Sequence, residues 1–256
     1  MADPRPAIQS VKQAEGYFAN FPGDAGGVTY AGITKNFNPE WAGWPIIMAY
    51  QAKLGRPLRT NEQVPGVEPY VDAFYLAKWN SYGLSQINNQ FVAELIWDYL
   101  VNSATTATLR LETLLATQFG VKLKADRTFD AHTVAAINAQ DPGKLYKALL
   151  ADRKAFYNQI ANVPHLYVVQ PADTVASIQA KFRLPASEVP AVIKPGDKLQ
   201  LKTNLQFLSG WLARLKKFEG LSIAQVATVS LGGLLTIGAA IFFLVRNNKK
   251  KKTAKQ

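Results

Sequence analysis

Twenty-six consecutive residues, 220–245 (GLSIAQVATVSLGGLLTIGAAIFFLV), carry no charged side chain. Coiled into a helix at about 1.5 Å per residue, such a run exceeds the roughly 30 Å hydrocarbon core of a bilayer. Helices of soluble proteins average about 11 residues and keep a polar stripe. The reading is one transmembrane helix, and its alternative is a helix buried in a protein core. Directly behind it, RNNKKKKTAKQ supplies six of the 29 Lys and Arg residues and no acid; without those six the net charge falls from +11 to +5. The basic balance is therefore partly a membrane-flank signal, and no nucleic-acid partner is needed to explain it. Ala224, Thr228, Gly232, Thr236 and Ala240 recur every four positions on one face of the span. A face of small residues lets helices approach closely, so helix–helix association is expected there.

The rest of the chain is long enough for one well-packed domain of about 150 residues with accessories. It has no cysteine, which excludes a disulfide framework, a thiolate nucleophile and Cys-based metal sites. His132 and His165 stand far apart and lack helical partner spacing, so no metal or other cofactor is expected. The start, MADPRPAIQ, has no apolar run of the kind a cleaved secretion signal requires.

Ahead of the span, Leu205, Leu208, Trp211, Leu212, Leu215 and Phe218 recur at steps of three and four, while Arg214, Lys216 and Lys217 fall mostly elsewhere on the wheel. That pattern suits a helix at the lipid headgroup level, or one packed on the soluble domain. Residues 166–202 read as an apolar strand into a QPAD turn, a helix over residues 175–182, a second short element and a closing strand after KPGD. This βααβ order, with YVVQPADT at one end and IKPGDKLQL at the other, resembles a LysM module, a small binder of peptidoglycan and chitin. Ala172 stands where that family usually has Gly, and the middle is several residues short. Glycan binding and a spacer role both remain open for it.

Residues 15–34, EGYFANFPGDAGGVTYAGIT, hold two carboxylates, a diglycine and few aliphatic residues. A helix over residues 8–15 is expected to end at Glu15, with the Gly/Pro-rich run folding back as a hairpin or irregular loop. Glycoside hydrolysis needs one carboxylic acid to protonate the leaving oxygen and usually a second group for water or developing positive charge. Glu15 and Asp24 could flank a sugar in that way, although two acids nine apart are equally compatible with a solvated Glu and a turn Asp.

The surrounding pattern is more specific. The segment resembles, without a gap, the signature of the glycoside hydrolase family 108 N-acetylmuramidases, in which E-G-G-Y precedes P-x-D-x-G-G-x-T and G-I-T. DAFYLAKWN is similar to that family's Tyr-Trp helix and WDYLVNSA to its F-D-x-x-V-N-x-G segment. DRTFDAHTVAAI and LLADRKAFYNQI resemble the accompanying peptidoglycan-domain motif. The spacing from Glu15 to Asp24 and on to Gly32-Ile33 is also similar to that of T4-type lysozymes. Tyr17, Phe18 and Ser103-Ala104 depart from the family pattern, and no departure removes a carboxylate.

The resemblance implies a mainly α fold. A lysozyme-like helical domain over residues 1–164 would have its catalytic part in about 1–100 and a helical peptidoglycan-associated part in about 101–164. The LysM-like module (166–202), the amphipathic helix (203–219), the transmembrane helix (220–245) and a basic tail (246–256) would follow. The helical segments VAELIWDYLVN, ATLRLETLLATQFG and KLYKALLADRKAFYNQIA support this, with Gly120 as a helix stop. Carried over by position, Glu15 is the catalytic acid, and Asp24 and Thr29 serve the water side or the oxocarbenium-like state. Tyr30, Trp79 and Asn102 are expected to face substrate. The implied activity is hydrolysis of the bond between N-acetylmuramic acid and N-acetylglucosamine, with peptidoglycan and membrane as partners; a non-catalytic wall tether is the alternative. The expected location is the inner membrane, single-pass, with the soluble domain facing the periplasm or wall and the tail in the cytoplasm.

Overall fold

The computed structural model of the 256-residue chain describes residues 1–20 and 27–228. The first helix, α1 (Pro4–Glu15), begins four residues before its expected start. Proline at the first helical position needs no backbone N–H, and the Asp3 side chain accepts a hydrogen bond from the Arg5 amide, so Pro4 and Pro6 sit within the first turn. Ala7, Ile8 and Val11 turn inward. Gln90 on the fourth helix accepts from the Asp3 amide at 2.6 Å and donates to the Asp3 carbonyl at 2.9 Å, fixing this end of α1.

Gly16, at φ +70°, ends α1 and sends the chain into a sheet of three two-residue antiparallel strands, β1 (Phe18–Ala19), β2 (Thr29–Tyr30) and β3 (Ile33–Thr34). Tyr30 pairs with both Phe18 and Ile33. Only Ala31 and Gly32 join β2 to β3, at φ +47° and +77°, the left-handed pair that a two-residue hairpin matched to strand twist requires. The hairpin expected for this segment is thus present, and residues 21–26, Asp24 among them, lie outside the described residues.

Two helices, α2 (Gly43–Leu54) and α3 (Glu68–Ser81), lead to the long α4 (Gln90–Phe119). Ser103, at φ −164° and ψ 80°, kinks α4 between the two helical segments read from the sequence, and Gly120 closes it in the left-handed conformation. Trp79, Trp97, Tyr75 and Val11 form the centre of the core where α1, α3 and α4 meet. Beyond it, α5 (Ala131–Asn138) and α6 (Pro142–Ala161) are capped by Asp130 and Asp141, and α6 packs along α4.

Residues 162–204 leave this helical body and return to it. β4 (His165–Val168) pairs antiparallel with β5 (Lys198–Leu201), enclosing α7 (Val175–Phe182) and a single 3-10 turn at Ala186–Glu188. Val169, Ile178, Leu184, Val189 and Leu201 make a separate small core. The strand–helix–strand order follows the expectation, with the second short element reduced to that turn.

The next helix, α8 (Leu205–Glu219), lies against α6. Trp211 stacks on Tyr157 with ring centroids 5.5 Å apart, Leu215 and Phe218 are buried, and the Tyr146 hydroxyl donates to the Phe218 carbonyl at 2.9 Å. The apolar face read as suited to the headgroup level is therefore occupied by protein, because α6 offers it a ready apolar partner. A short helix, α9 (Ile223–Thr228), follows on the same surface. Asn89 donates to the Val226 carbonyl at 2.6 Å, and a Cβ on Gly143 would stand 2.4 Å from Ile223 Cγ2, so α9 and α6 approach closely. The expected span is corrected at its start: its first residues pack on α4 and α6. Among the described residues no helix is long and apolar enough to cross a membrane. The stretch from 229 onward, with Gly232, Thr236 and Ala240, lies outside them.

Candidate functional site

Glu15 is the last residue of α1, and its side chain is 25% exposed. One wall of its position is backbone. A Cβ added to Gly32 would lie 2.9 Å from Glu15 Cγ, 3.2 Å from Glu15 Cβ and 2.7 Å from the Tyr75 hydroxyl, so only glycine lets the β2–β3 turn pass this close. Tyr75 donates to the Ala31 carbonyl at 2.6 Å and ties that turn to α3. Burial first, and the Glu15 charge second, push its phenol pKa up, so the hydroxyl stays a donor.

The opposite wall is Arg214 of α8. Its Nη1 donates to Glu15 Oε1 at 2.9 Å, and its Nε donates to the two Asp98 oxygens at 3.1 and 3.3 Å. Asp98 is the hub of a buried ionic cluster. Arg153 approaches it at 2.6 Å with the two side chains 0% and 2% exposed, and Lys217 donates to it at 2.8 Å while also reaching Ser10 on α1 at 2.7 Å. Burial opposes ionisation of Asp98. The attraction of Arg153, then of Arg214 and Lys217, outweighs it and holds the carboxyl below the usual carboxylate range. α1, α4, α6 and α8 thus meet at one cluster of charge, and Glu15 joins it to the β2–β3 turn.

The other expected site residues are distributed differently. Thr29 is half-buried on β2, its hydroxyl donating to the Gly27 carbonyl at 3.4 Å. Tyr30 is 1% exposed, accepts from the Val64 amide at 2.9 Å and stacks on Trp41; it is a core residue, not a platform for sugar. Trp79 is fully buried, packs edge-on against Trp97 and donates to Ser85 Oγ at 2.8 Å, so it too is corrected from substrate contact to core. Both rings are large apolar groups on faces that point inward, where such residues are normally found. Asn102 donates to the Asp98 carbonyl one turn back, just before the kink at Ser103. A cavity of about 210 Å³ opens between Asn20, Val28, Trp44 and Met48, beside the residues that flank segment 21–26. Among the described residues no three His, Asp or Glu side chains are grouped as a metal ion would need.

Sequence reasoning missed Asp98, Arg153 and Arg214 as a set. The available signal was an acid in the middle of the apolar run LIWDYL, which a folded helix must bury and therefore pair.

Residues 8–104 match the family model Glycosyl hydrolase 108. Residues 107–216 match a second family model, described as "Predicted Peptidoglycan domain". The two ranges meet just after the kink in α4, and the second runs through the βααβ unit to end two residues beyond Arg214. No curated protein matches the chain. Among solved structures, "Structure of Brucella abortus SagA" is similar at 15% identity, over 90% of this chain and 97% of that one, with a TM-score of 0.46.

Proposed function

We propose that this protein is a peptidoglycan hydrolase of the muramidase type, cleaving between N-acetylmuramic acid and N-acetylglucosamine with Glu15 as the general acid. The observation that carries the reading is Glu15 itself: a partly exposed carboxyl at a helix end, held against a glycine turn, inside the segment that matches the glycoside hydrolase family. Oε1 accepts from Arg214, so the proton delivered to the glycosidic oxygen travels on Oε2. Asp24 and Thr29 take the water side, orienting the nucleophile or stabilising the oxocarbenium-like state. The βααβ unit serves as a second, LysM-like contact with glycan. Residues 229–245 anchor the chain with the basic tail in the cytoplasm, which leaves the helical body on the side where peptidoglycan lies. Those 17 residues are near the lower limit for crossing a bilayer.

The test is muropeptide release from isolated sacculi by full-length protein. Glu15→Gln preserves shape but carries no acidic proton, and general acid catalysis is worth about 10²- to 10⁴-fold. Wild type should release muropeptides and the variant less than a hundredth as much. A variant retaining more than a tenth of wild-type activity removes Glu15 from the mechanism. The second reading, a non-catalytic wall tether, is favoured by the ion pair that occupies one oxygen of Glu15. It wins if wild type co-sediments with sacculi and releases nothing.

A further inference from the structure

We propose that Arg214 is a positioning residue for Glu15, so that the helix following the βααβ unit is part of the active site. The inference rests on the muramidase reading above and adds a residue 199 positions away in sequence.

The geometry is that of a fixed fork. A guanidinium is planar and presents its N–H groups in set directions, so contact with two acids at once fixes its orientation as a lysine ammonium would not. Here Nε is committed to Asp98 at 3.1 Å and Nη1 to Glu15 at 2.9 Å. The Asp98 end cannot drift, because Asp98 is itself gripped by Arg153 and Lys217 inside the core. Glu15, by contrast, is a flexible side chain at the end of a helix. Between Arg214 on one side and the Gly32 backbone on the other, its carboxyl is confined to one place, with Oε1 turned to Arg214.

A latch that blocks the acid until α8 lifts away is a poor description of the same contact. Arg214 is only 16% exposed, and its neighbour Leu215 is fully buried against α6. Release would require opening the core, whereas a positioning contact needs no motion.

The test uses full-length protein with soluble glycan strands prepared from peptidoglycan, comparing wild type, Glu15→Gln, Arg214→Met and Arg214→Lys for kcat, KM and thermal midpoint. Displacing a catalytic group by about 1 Å can cost about 10²-fold in rate. Arg214→Met should therefore lose about 10²-fold in kcat with KM within about twofold of wild type. Arg214→Lys, which keeps the charge but not the fork, should recover part of that loss. The proposal is overturned if Arg214→Met keeps kcat within about threefold of wild type or raises it. It is equally overturned if the Lys variant is no better than Met at a matched midpoint. Should Arg214→Met fail to fold, Arg214→Lys decides alone: a wild-type kcat rejects the proposal, and a tenfold or greater loss at an unchanged midpoint supports it. An inactive wild type, or an active Glu15→Gln, instead rejects the muramidase reading and this inference with it.

Discussion

Asp98→Asn isolates the buried ionic cluster at almost constant shape. The amide fills the space of the carboxylate but removes the charge that faces Arg153, Arg214 and Lys217. Arg153 decides the magnitude, since its side chain is 0% exposed and water cannot replace its lost partner. Leaving one member of a buried pair uncompensated costs about 3–5 kcal/mol, against a total stability of about 5–15 kcal/mol for a typical domain. For a chain of this size each kcal/mol corresponds to about 2–4 °C, so the thermal midpoint should fall by about 6–20 °C. The surface pair of Arg5 with Asp3, whose side chains are 81% and 30% exposed, provides the contrast: Arg5→Ala should leave the thermal midpoint nearly unchanged, because water screens the pair and replaces the lost partner. pH supplies a second arm. The folded-state pKa of Asp98 is lowered, so its contribution is fully present above the unfolded carboxylate range near pH 4 and is lost as pH falls through the lower folded value. The gap in midpoint between wild type and Asp98→Asn should therefore be widest near neutrality and narrow below about pH 4. Melting followed by circular dichroism at several pH values measures both arms. A drop under about 3 °C at pH 7, or a gap that stays constant into acid, would show that Asp98 does not hold the cluster as argued.

Gly32→Ala should damage stability and activity together. The residue adopts φ +77°, a left-handed conformation costing a non-glycine residue about 1–2 kcal/mol, and the new methyl meets Glu15 and the Tyr75 hydroxyl under 3 Å away; an unchanged midpoint with wild-type muropeptide release would refute the close approach. Topology is checked in a chain without native cysteine by single cysteines at Ala172 and Ala254, probed in intact spheroplasts with a membrane-impermeant maleimide. Labelling at the first position alone is expected, and the reverse pattern would reject the proposed orientation.

What the sequence made legible was local. The two helical segments now joined in α4, the stop at Gly120 and the strand–helix–strand order of residues 165–201 all follow from spacing and turn residues that act over a few positions. What it hid was the identity of the surface each apolar face meets. The stripe of α8 is equally suited to a lipid headgroup layer and to α6, and the presence of α6 nearby is a tertiary fact. The same ambiguity moved the start of the expected span: Leu221 and Val226 pack on the helical body, and Ser222 with Gln225 caps the turn through mutual hydrogen bonds at 2.8 and 3.2 Å. Tyr30 and Trp79 failed for a related reason, since an aromatic beside a suspected groove and an aromatic in the core under it have the same local pattern. Arg214 looked like a solvated charge off the apolar stripe. Nothing within its own helix reveals that two acids from α1 and α4 wait behind it.

The path of the chain shows how a site can depend on α8 while a separate unit stands in between. Because β4 and β5 are antiparallel neighbours, residue 165 pairs with residue 201, and the chain leaves the βααβ unit beside the point where it entered. Asn204 closes that junction. Its side-chain amide donates to the Ile160 carbonyl at the end of α6 at 3.3 Å and lies 3.1 Å from His165 Nε2 at the start of β4. α6 and α8 therefore meet as adjacent helices of one body, with Tyr157 against Trp211, although more than forty residues separate them in sequence. The unit has its own small core, separate from that of the helical body, with Leu205 at the start of α8 packed against it. The second family match, residues 107–216, runs through α6, the βααβ unit and most of α8. Cutting the chain at residue 164, or at residue 202, would remove the βααβ unit or leave it in place, but in either case would take Arg214 away from Glu15. On the proposed reading, the acid at the fifteenth residue is held by a helix that ends at residue 219, and a piece cut to test the activity must include both.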